Sequence, residues 1–374
     1  MASLFIVVNE DRFFLSHRKD IAKAAIAAGY DVTIVAKDTG RKEEVIALGA
    51  KYINLPVNPT GMNLGQELKT FSFLWRLFRK ERPDIVHNVG LKMMLWGGLA
   101  AKLTHVPLLV SAVSGLGVMF SSAELSLYAR VIMRVLRFSH NRKGAFAIFQ
   151  NGDDRKLFLD NKVVTSDQLF FTKGSGVDLN KYSYTPEPAN DKVKVIFTAR
   201  MVKEKGMVTL IEAAELLREK YEDKVEFWLC GGLSDNPLAI KEDELRAMCD
   251  DKYIKWLGHR TDVHELLKQS HIMAFPSYYR EGVPKSLIEA SAIGRPIITT
   301  DSVGCRDVVE DGINGYLIPI KDSITLADRL GKLFEDKELR MRMGLKSREF
   351  AERDFSIENV VSTHLEIYDK VKNL

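Results

Sequence analysis

Two carboxylates with seven residues between them stand in the segment Glu281-Gly282-Val283-Pro284-Lys285-Ser286-Leu287-Ile288-Glu289-Ala290. The segment follows a predicted strand, His271–Phe275, and the turn Pro276-Ser277-Tyr278-Tyr279-Arg280. Pro284 suits the first turn of a helix, where its missing N–H costs nothing. Glu281 then lies in the loop and Glu289 about a turn and a half into the helix. The free N–H groups of Gly282, Val283, Lys285 and Ser286, around Pro284, form an anion-binding helix end suited to a diphosphate. A loop carboxylate accepts hydrogen bonds from sugar hydroxyls, and a helical one can take both hydroxyls of a ribose. The competing reading is a solvated helix with two surface acids. A second segment, Phe197-Thr198-Ala199-Arg200-Met201-Val202-Lys203-Glu204-Lys205-Gly206, offers Arg200 and Lys205 as cations that would neutralise a diphosphate leaving group. Gly206 permits close backbone approach, and Lys203 reads as a solvated neighbour.

These groups need a scaffold, and the chain supplies a repetitive one. Short β-branched runs alternate with helical stretches: Leu4–Val8, Asp31–Ala36, Tyr52–Val57, Asp84–Val89, Pro107–Val113 and Ala145–Gln150, then Lys194–Thr198, Val225–Cys230, Lys255–Gly258, Ile272–Pro276, Pro296–Thr300 and Gly315–Ile318. Such alternation predicts an α/β fold with parallel sheets covered by helices on both faces. The pattern restarts near Asp191, after the polar, proline-punctuated stretch 180–190, which reads as an interdomain linker. The expectation is two Rossmann-like doubly wound domains facing across a cleft, with ligands beyond the carboxyl ends of the strands. Residues 1–175 form the first domain, with a terminal helix over 356–374 packing back on it. Residues 176–355 form the second.

The composition agrees with a soluble globular chain. Of 374 residues, 46% are hydrophobic and 28% charged, which excludes disorder. Three scattered cysteines (Cys230, Cys249, Cys305) exclude a disulfide framework or a zinc ribbon. No run of about 18 apolar residues is present, and the start lacks the basic region of a secretory signal. The net charge of +4 is unevenly spread: residues 1–175 carry +9 and the remainder −5. That asymmetry is either a basic domain facing an anionic partner or ordinary solvated charge.

Together the two motifs resemble the retaining nucleotide-sugar glycosyltransferases of family 4, which have the GT-B fold. Supporting matches are Gly231-Gly232, Trp256-Leu257-Gly258-His259 with Asp262-Val263, and Gly174-Ser175-Gly176-Val177-Asp178. The resemblance implies that Arg200 and Lys205 bind the donor diphosphate and that Glu289 holds the ribose. It implies that Glu281 contacts the transferred sugar, and that groups near Gly231, His259 and Arg260 read a base, most often uracil. The stretch Val113-Ser114-Gly115-Leu116-Gly117-Val118-Met119-Phe120, with His87-Asn88-Val89-Gly90-Leu91-Lys92, is similar to a bacterial subset. Those enzymes add N-acetylhexosamines, often N-acetylgalactosamine, to polyprenyl-diphosphate-linked sugars. Asp235-Asn236-Pro237 fits the same subset. Ser114 stands where many members have a histidine, and the first strand–helix loop (Asn9–Arg18) has no glycine.

On this reading the protein is a retaining, metal-independent enzyme that moves a hexosamine from a UDP-sugar to a lipid-linked or glycan acceptor. The diphosphate departs on the face from which the acceptor attacks, and no cofactor is required. His87 faces acceptor or donor, or is a structural histidine. Lys92, at a helix start, answers to an anionic ligand or to solvent. Ser114 is the third acceptor candidate. Two basic helices, Leu68–Arg82 and Leu125–Arg142, would rest on an anionic membrane surface, placing the protein peripherally at the cytoplasmic face. Alternatively their aromatics are core. No nucleic-acid partner is expected. The rival functions are a UDP-N-acetylglucosamine 2-epimerase-like isomerase and a non-catalytic nucleotide-sugar-binding protein.

Overall fold

The computed structural model describes residues 1–58, 63–116, 120, 126–189, 191–234 and 239–373. The chain divides into two units, Met1–Gly176 with Ile357–Leu374, and Val177–Ser356.

The amino-terminal unit is built on seven parallel strands: β1 (Ser3–Glu10), β2 (Asp31–Lys37), β3 (Lys51–Asn54), β4 (Ile85–Val89), β5 (Leu108–Val113), β6 (Ala145–Phe149) and β7 (Leu169–Phe171). Their order across the sheet is β3-β2-β1-β4-β5-β6-β7. Every residue of β4 and β5 is buried. Burial on both faces is why neither strand shows an alternating pattern: β5 is almost wholly apolar, and β4 buries His87 and Asn88 among its apolar residues. β7 is a three-residue edge strand, too short to show a pattern in sequence.

The carboxyl-terminal unit has six parallel strands: β8 (Val193–Thr198), β9 (Val225–Cys230), β10 (Ile254–Gly258), β11 (Ile272–Phe275), β12 (Ile297–Thr300) and β13 (Gly315–Ile318). They lie in the order β10-β9-β8-β11-β12-β13. In each unit the order reverses beside the first strand, between β1 and β4 and between β8 and β11. Such reversals open a crevice at the carboxyl ends of the two strands.

The last helix, Ile357–Asp369, belongs to the amino-terminal unit. Its Val360, Ile367 and Tyr368 are buried in one apolar cluster with Leu4, Ile6 and Ile85.

The stretch read as a linker is instead fastened to the carboxyl-terminal unit. Arg295, buried, donates to the carbonyls of Thr185 (2.8 Å) and Pro186 (3.4 Å). Glu187 and Arg340 form a bidentate ion pair at 2.7 and 2.9 Å, with side chains only 8% and 5% exposed. The ring of His271 meets the Pro188 carbonyl at 3.2 Å. Polarity suggested solvent here. The polar groups are spent on internal bonds, and Asn190 lies outside the described residues.

The basic segment 68–82 lies within the helix Leu64–Glu81, capped by Asn63, whose side chain accepts from the N–H groups of Gly65 and Gln66. Its aromatics turn inward. Phe78 is buried edge-on to Phe5 at 6.3 Å, and Phe71 meets Trp96 at 5.9 Å. Phe73 and Trp75 pack half-buried on the same cluster. Of the membrane-facing set expected there, only the basic residues Arg76, Arg79, Lys80 and Arg82 are exposed.

The second basic helix spans Leu127–His140 and differs. Leu127, Tyr128, Val131 and Phe138 are exposed together with Arg130, Arg134 and Arg137. Leu125, its expected start, lies outside the described residues.

Candidate functional site

The loops after β8 and β11 flank the reversal in the carboxyl-terminal sheet, and they carry the residues singled out for diphosphate and sugar. The two loops interlock. Gly206 sits at φ +88°, and a Cβ there would lie 2.0 Å from the Pro276 carbonyl oxygen, so no other residue fits without moving the backbone. The Glu204 carbonyl accepts from the N–H groups of Tyr278 (3.0 Å) and Tyr279 (3.2 Å). This clamp brings Lys205 to Glu281: the ammonium Nζ is ion-paired to Oε1 of the carboxylate, with the side chains 18% and 11% exposed. Lys205 also lies over the ring of Tyr279 at 5.1 Å. Ser277 Oγ is 3.2 Å from the same Glu281 oxygen.

Arg200 is exposed in the β8 loop and makes no ion pair among the described residues. Its charge reaches Tyr279: burial and the nearby Glu281 hold that phenol above its ordinary range, and Arg200 opposes them. Cys305, on the loop after β12, is buried below the pair. Burial, with Glu281 adding to it, pushes its thiol up to about 11. Arg200, Lys205 and Glu281 therefore share one neighbourhood.

The helix Lys285–Ile293 begins next to them. Pro284 is its N-cap rather than its first residue, and Gly282, Val283 and Pro284 are buried in the approach. Lys285 stands half-buried in the first turn. Glu289 lies one turn on, also half-buried. Burial raises its carboxyl above the ordinary range, while Lys285, the Tyr182 hydroxyl and Lys181 pull it back. Tyr182 and Lys181 come from the fastened stretch, so that stretch contributes to the surroundings of Glu289.

Gly231, after β9, makes the other close approach: a Cβ would lie 1.6 Å from the Ala199 carbonyl oxygen. Its N–H donates to Gly258 at 2.8 Å, and its carbonyl accepts from the Trp256 indole at 2.9 Å. His259 and Arg260 follow β10 at the sheet edge. Both are exposed, and Arg260 is tied to Asp262 at 2.6 Å. They stand away from the Lys205–Glu281 pair, two strands over.

In the amino-terminal unit the acceptor candidates fare differently. His87 lies within β4 and is fully buried, so it faces neither sugar nor acceptor. Its Nδ1 meets the Tyr368 hydroxyl at 2.6 Å, and its ring lies 5.3 Å from that of His364. Burial holds His87 well below the ordinary histidine range, assisted by His364 and by the buried guanidinium of Arg18. Lys92 is answered by protein. Its ammonium pairs with Glu67 at 2.7 Å and donates to the Asn58 carbonyl at 2.7 Å. The Trp96 indole bonds the other Glu67 oxygen. Ser114 lies half-buried just beyond β5. Gly117, Val118 and Met119 of its motif, and Asp235-Asn236-Pro237, lie outside the described residues.

Tyr279 belongs to the Tyr278–Arg280 turn that, with Lys285, the sequence points to for donor choice; Ser277, Cys305 and Tyr182 were not singled out as site residues. Of these three only Ser277 carried a readable signal, its place in the turn between the strand and Glu281.

Residues 183–350 match the family described as glycosyl transferases group 1. Residues 4–151 match the glycosyl transferase 4-like family. The N,N'-diacetylbacillosaminyl-diphospho-undecaprenol alpha-1,3-N-acetylgalactosaminyltransferase of Campylobacter jejuni is 27% identical over 380 residues, covering 96% of this chain and 98% of its own. The UDP-Gal:alpha-D-GlcNAc-diphosphoundecaprenol alpha-1,3-galactosyltransferase of Escherichia coli is 24% identical over 355 residues, covering 92% and 88%. Among solved structures, HepE of Anabaena in complex with UDP and glucose superposes with a TM-score of 0.78 at 18% identity over 100% of both chains. Sucrose-phosphate synthase of Thermosynechococcus elongatus gives 0.78 at 16% identity, again over 100% of both. The shared fold is GT-B. On that frame a glycosyl transferase 4-like region precedes a glycosyl transferases group 1 region, so the chain carries the two domains of a glycosyltransferase.

Proposed function

We propose that this glycosyltransferase moves an N-acetylhexosamine, N-acetylgalactosamine or N-acetylglucosamine, from its UDP-sugar to a saccharide carried on a polyprenyl diphosphate, with retention and without a metal. The observation that carries the reading is the meeting of Lys205 and Glu281 at the β8–β11 reversal, beside the start of the helix Lys285–Ile293 and the exposed Arg200. A diphosphate in that crevice would receive Arg200, Lys205 and the first-turn N–H groups, which stabilise charge as it builds on the leaving oxygen. These positive groups perform the task a divalent ion performs elsewhere. Glu289 takes the ribose hydroxyls, Glu281 meets the sugar, and the surroundings of Gly231, His259 and Arg260 take the base. With no second carboxylate assigned as nucleophile, the acceptor hydroxyl attacks from the leaving-group face and the departing diphosphate oxygen takes its proton.

Two relatives that match most of the chain support the choice of donor and acceptor. Their names specify sugar transfer onto undecaprenyl-diphosphate-linked sugars with α linkages. UDP-hexosamines are α-linked, so an α product means retention. The exposed arginines and apolar residues of the helix Leu127–His140 fit an anionic bilayer surface, where such an acceptor resides. No helix among the described residues is long and apolar enough to cross a membrane. Peripheral attachment at the cytoplasmic face is part of the reading.

The test is a panel of UDP-sugars against a short-chain polyprenyl-diphosphate saccharide, with and without EDTA, and NMR of the anomeric proton in the product. An α-linked hexosamine formed in EDTA is the expected result. A free epimerised UDP-sugar with no glycoside would favour an isomerase. Binding without turnover would leave only a nucleotide-sugar carrier.

A further inference from the structure

We propose that Ser277 is a positioning residue for sugar transfer: its hydroxyl keeps the Glu281 carboxylate aimed once the donor diphosphate draws Lys205 away. The inference rests on the reading above, in which Lys205 meets the diphosphate and Glu281 the sugar. Those two side chains hold each other. A bound diphosphate offers Lys205 two negative charges, so the ammonium must shift toward it, and the Glu281 oxygen it contacted then loses a charged donor.

Ser277 is fully buried and already touches that oxygen, 3.2 Å from Oε1. A hydroxyl has one proton to give. The other acceptor in reach, the Glu204 carbonyl at 3.1 Å, also receives the N–H groups of Tyr278 and Tyr279 and does not depend on it. The proton can therefore turn wholly to Glu281. The serine itself is fixed. Its Oγ accepts from the Tyr279 N–H at 3.2 Å. Its N–H donates to Phe275 at 2.9 Å, and its carbonyl receives the hydroxyls of Thr300 and, at 3.1 Å, Ser302. It thus joins the loops after β8, β11 and β12, and a hydroxyl gripped this way holds a carboxylate at small entropic cost.

The experiment compares the full chain with Ser277→Ala, Ser277→Thr and Glu281→Gln for turnover, UDP affinity and melting temperature. Loss of one hydrogen bond to a charged group predicts about a ten- to hundred-fold fall in kcat for Ser277→Ala. UDP affinity and melting should stay near wild type, and Ser277→Thr should recover most of the rate. The inference is overturned if Ser277→Ala turns over like wild type while Glu281→Gln is impaired. It is equally overturned if UDP affinity falls in step with kcat, which marks a general structural defect. Should Ser277→Ala fail to fold, Ser277→Cys, of similar size and a weak donor, takes its place with the same expected split. Wild-type turnover in Glu281→Gln would instead sink the underlying reading of the site.

Discussion

The two units repeat one topological device, a strand-order reversal beside the first strand, and furnish it in opposite ways. At the β8–β11 reversal the charged groups stand at the surface or half-buried: Arg200 exposed, Lys205 and Glu281 paired but reachable, Glu289 one helical turn away. At the β1–β4 reversal Asp11, His87 and Lys92 are each held by other groups of the protein. Asp11, buried, accepts from the N–H groups of Thr39 (2.9 Å) and Arg41 (3.1 Å), and His87 is locked to Tyr368. Lys92, at the head of the helix after β4, is spent on Glu67. Topology fixes where a ligand can sit. Whether the residues there serve a ligand or the fold depends on who already holds their hydrogen bonds.

This contrast can be broken by substitution. Arg200→Ala should lower transfer by about a hundred- to a thousand-fold, as loss of one preorganised charge stabiliser does. Its melting temperature should match wild type, since Arg200 has no ion partner among the described residues. Wild-type transfer would remove the β8–β11 reversal from the chemistry. In the other unit, His87→Ala should cost about 1–3 kcal/mol of stability by orphaning the Tyr368 hydroxyl, with the KM for donor unchanged. A raised KM at full stability would return His87 to the site.

Acid sharpens the comparison next. Burial lowers His87, His140 (to about 4) and His364 (to about 3) in the amino-terminal unit, and His271 (to about 4) in the other. Each is held neutral when folded, so its contribution is complete above pH about 6.5. That contribution is lost as pH falls toward the folded value, because the unfolded chain binds the extra proton. Three such groups against one predict that the amino-terminal unit opens first between pH 6.5 and 4. Hydrogen exchange followed peptide by peptide at pH 7.5 and 4.5 would show it, and equal deprotection of both units would contradict it.

Smaller effects follow. Glu289→Gln should weaken UDP-sugar binding by about tenfold, one charged hydrogen bond's worth, with kcat little changed in saturating donor. Titration calorimetry checks this. Reversing Arg130, Arg134 and Arg137 to Glu should release the protein from vesicles containing anionic lipid, at about 1 kcal/mol per charge. Activity on a soluble acceptor should persist. Sedimentation that ignores these changes would assign the helix Leu127–His140 to something other than lipid.

Much of the fold was legible because buried parallel strands must be continuous apolar runs, and twelve such runs coincide with strands here. β7 escaped because three residues, two half-buried and one exposed, make no pattern. In the site, Lys205, Gly206 and Glu281 were readable from their places after β8 and β11. Those are loop positions where a charge or a glycine is not demanded by the core. Tyr182 was not, because its neighbour Glu289 lies more than a hundred positions along the chain. His87 stayed open between an acceptor and a structural role because a histidine in a strand carries no sign of what covers it. The partner that buries it, Tyr368, comes from the far end of the chain. The aromatics of the helix Leu64–Glu81 stayed open in the same way: beside arginines they fit a membrane edge or a core, and they pack on Phe5 and Trp96.

The fastening of residues 182–188 decides where this protein can be spliced. A chimera joined at 191, where the strand pattern restarts, would take Glu187 from Arg340 and Tyr182 from Glu289, inheriting a lobe with a buried guanidinium stripped of its counter-charge and an uncovered Glu289 carboxylate. A junction at 177 keeps both. Donor preference grafted from a relative should therefore travel only with the polar strap that precedes its first strand.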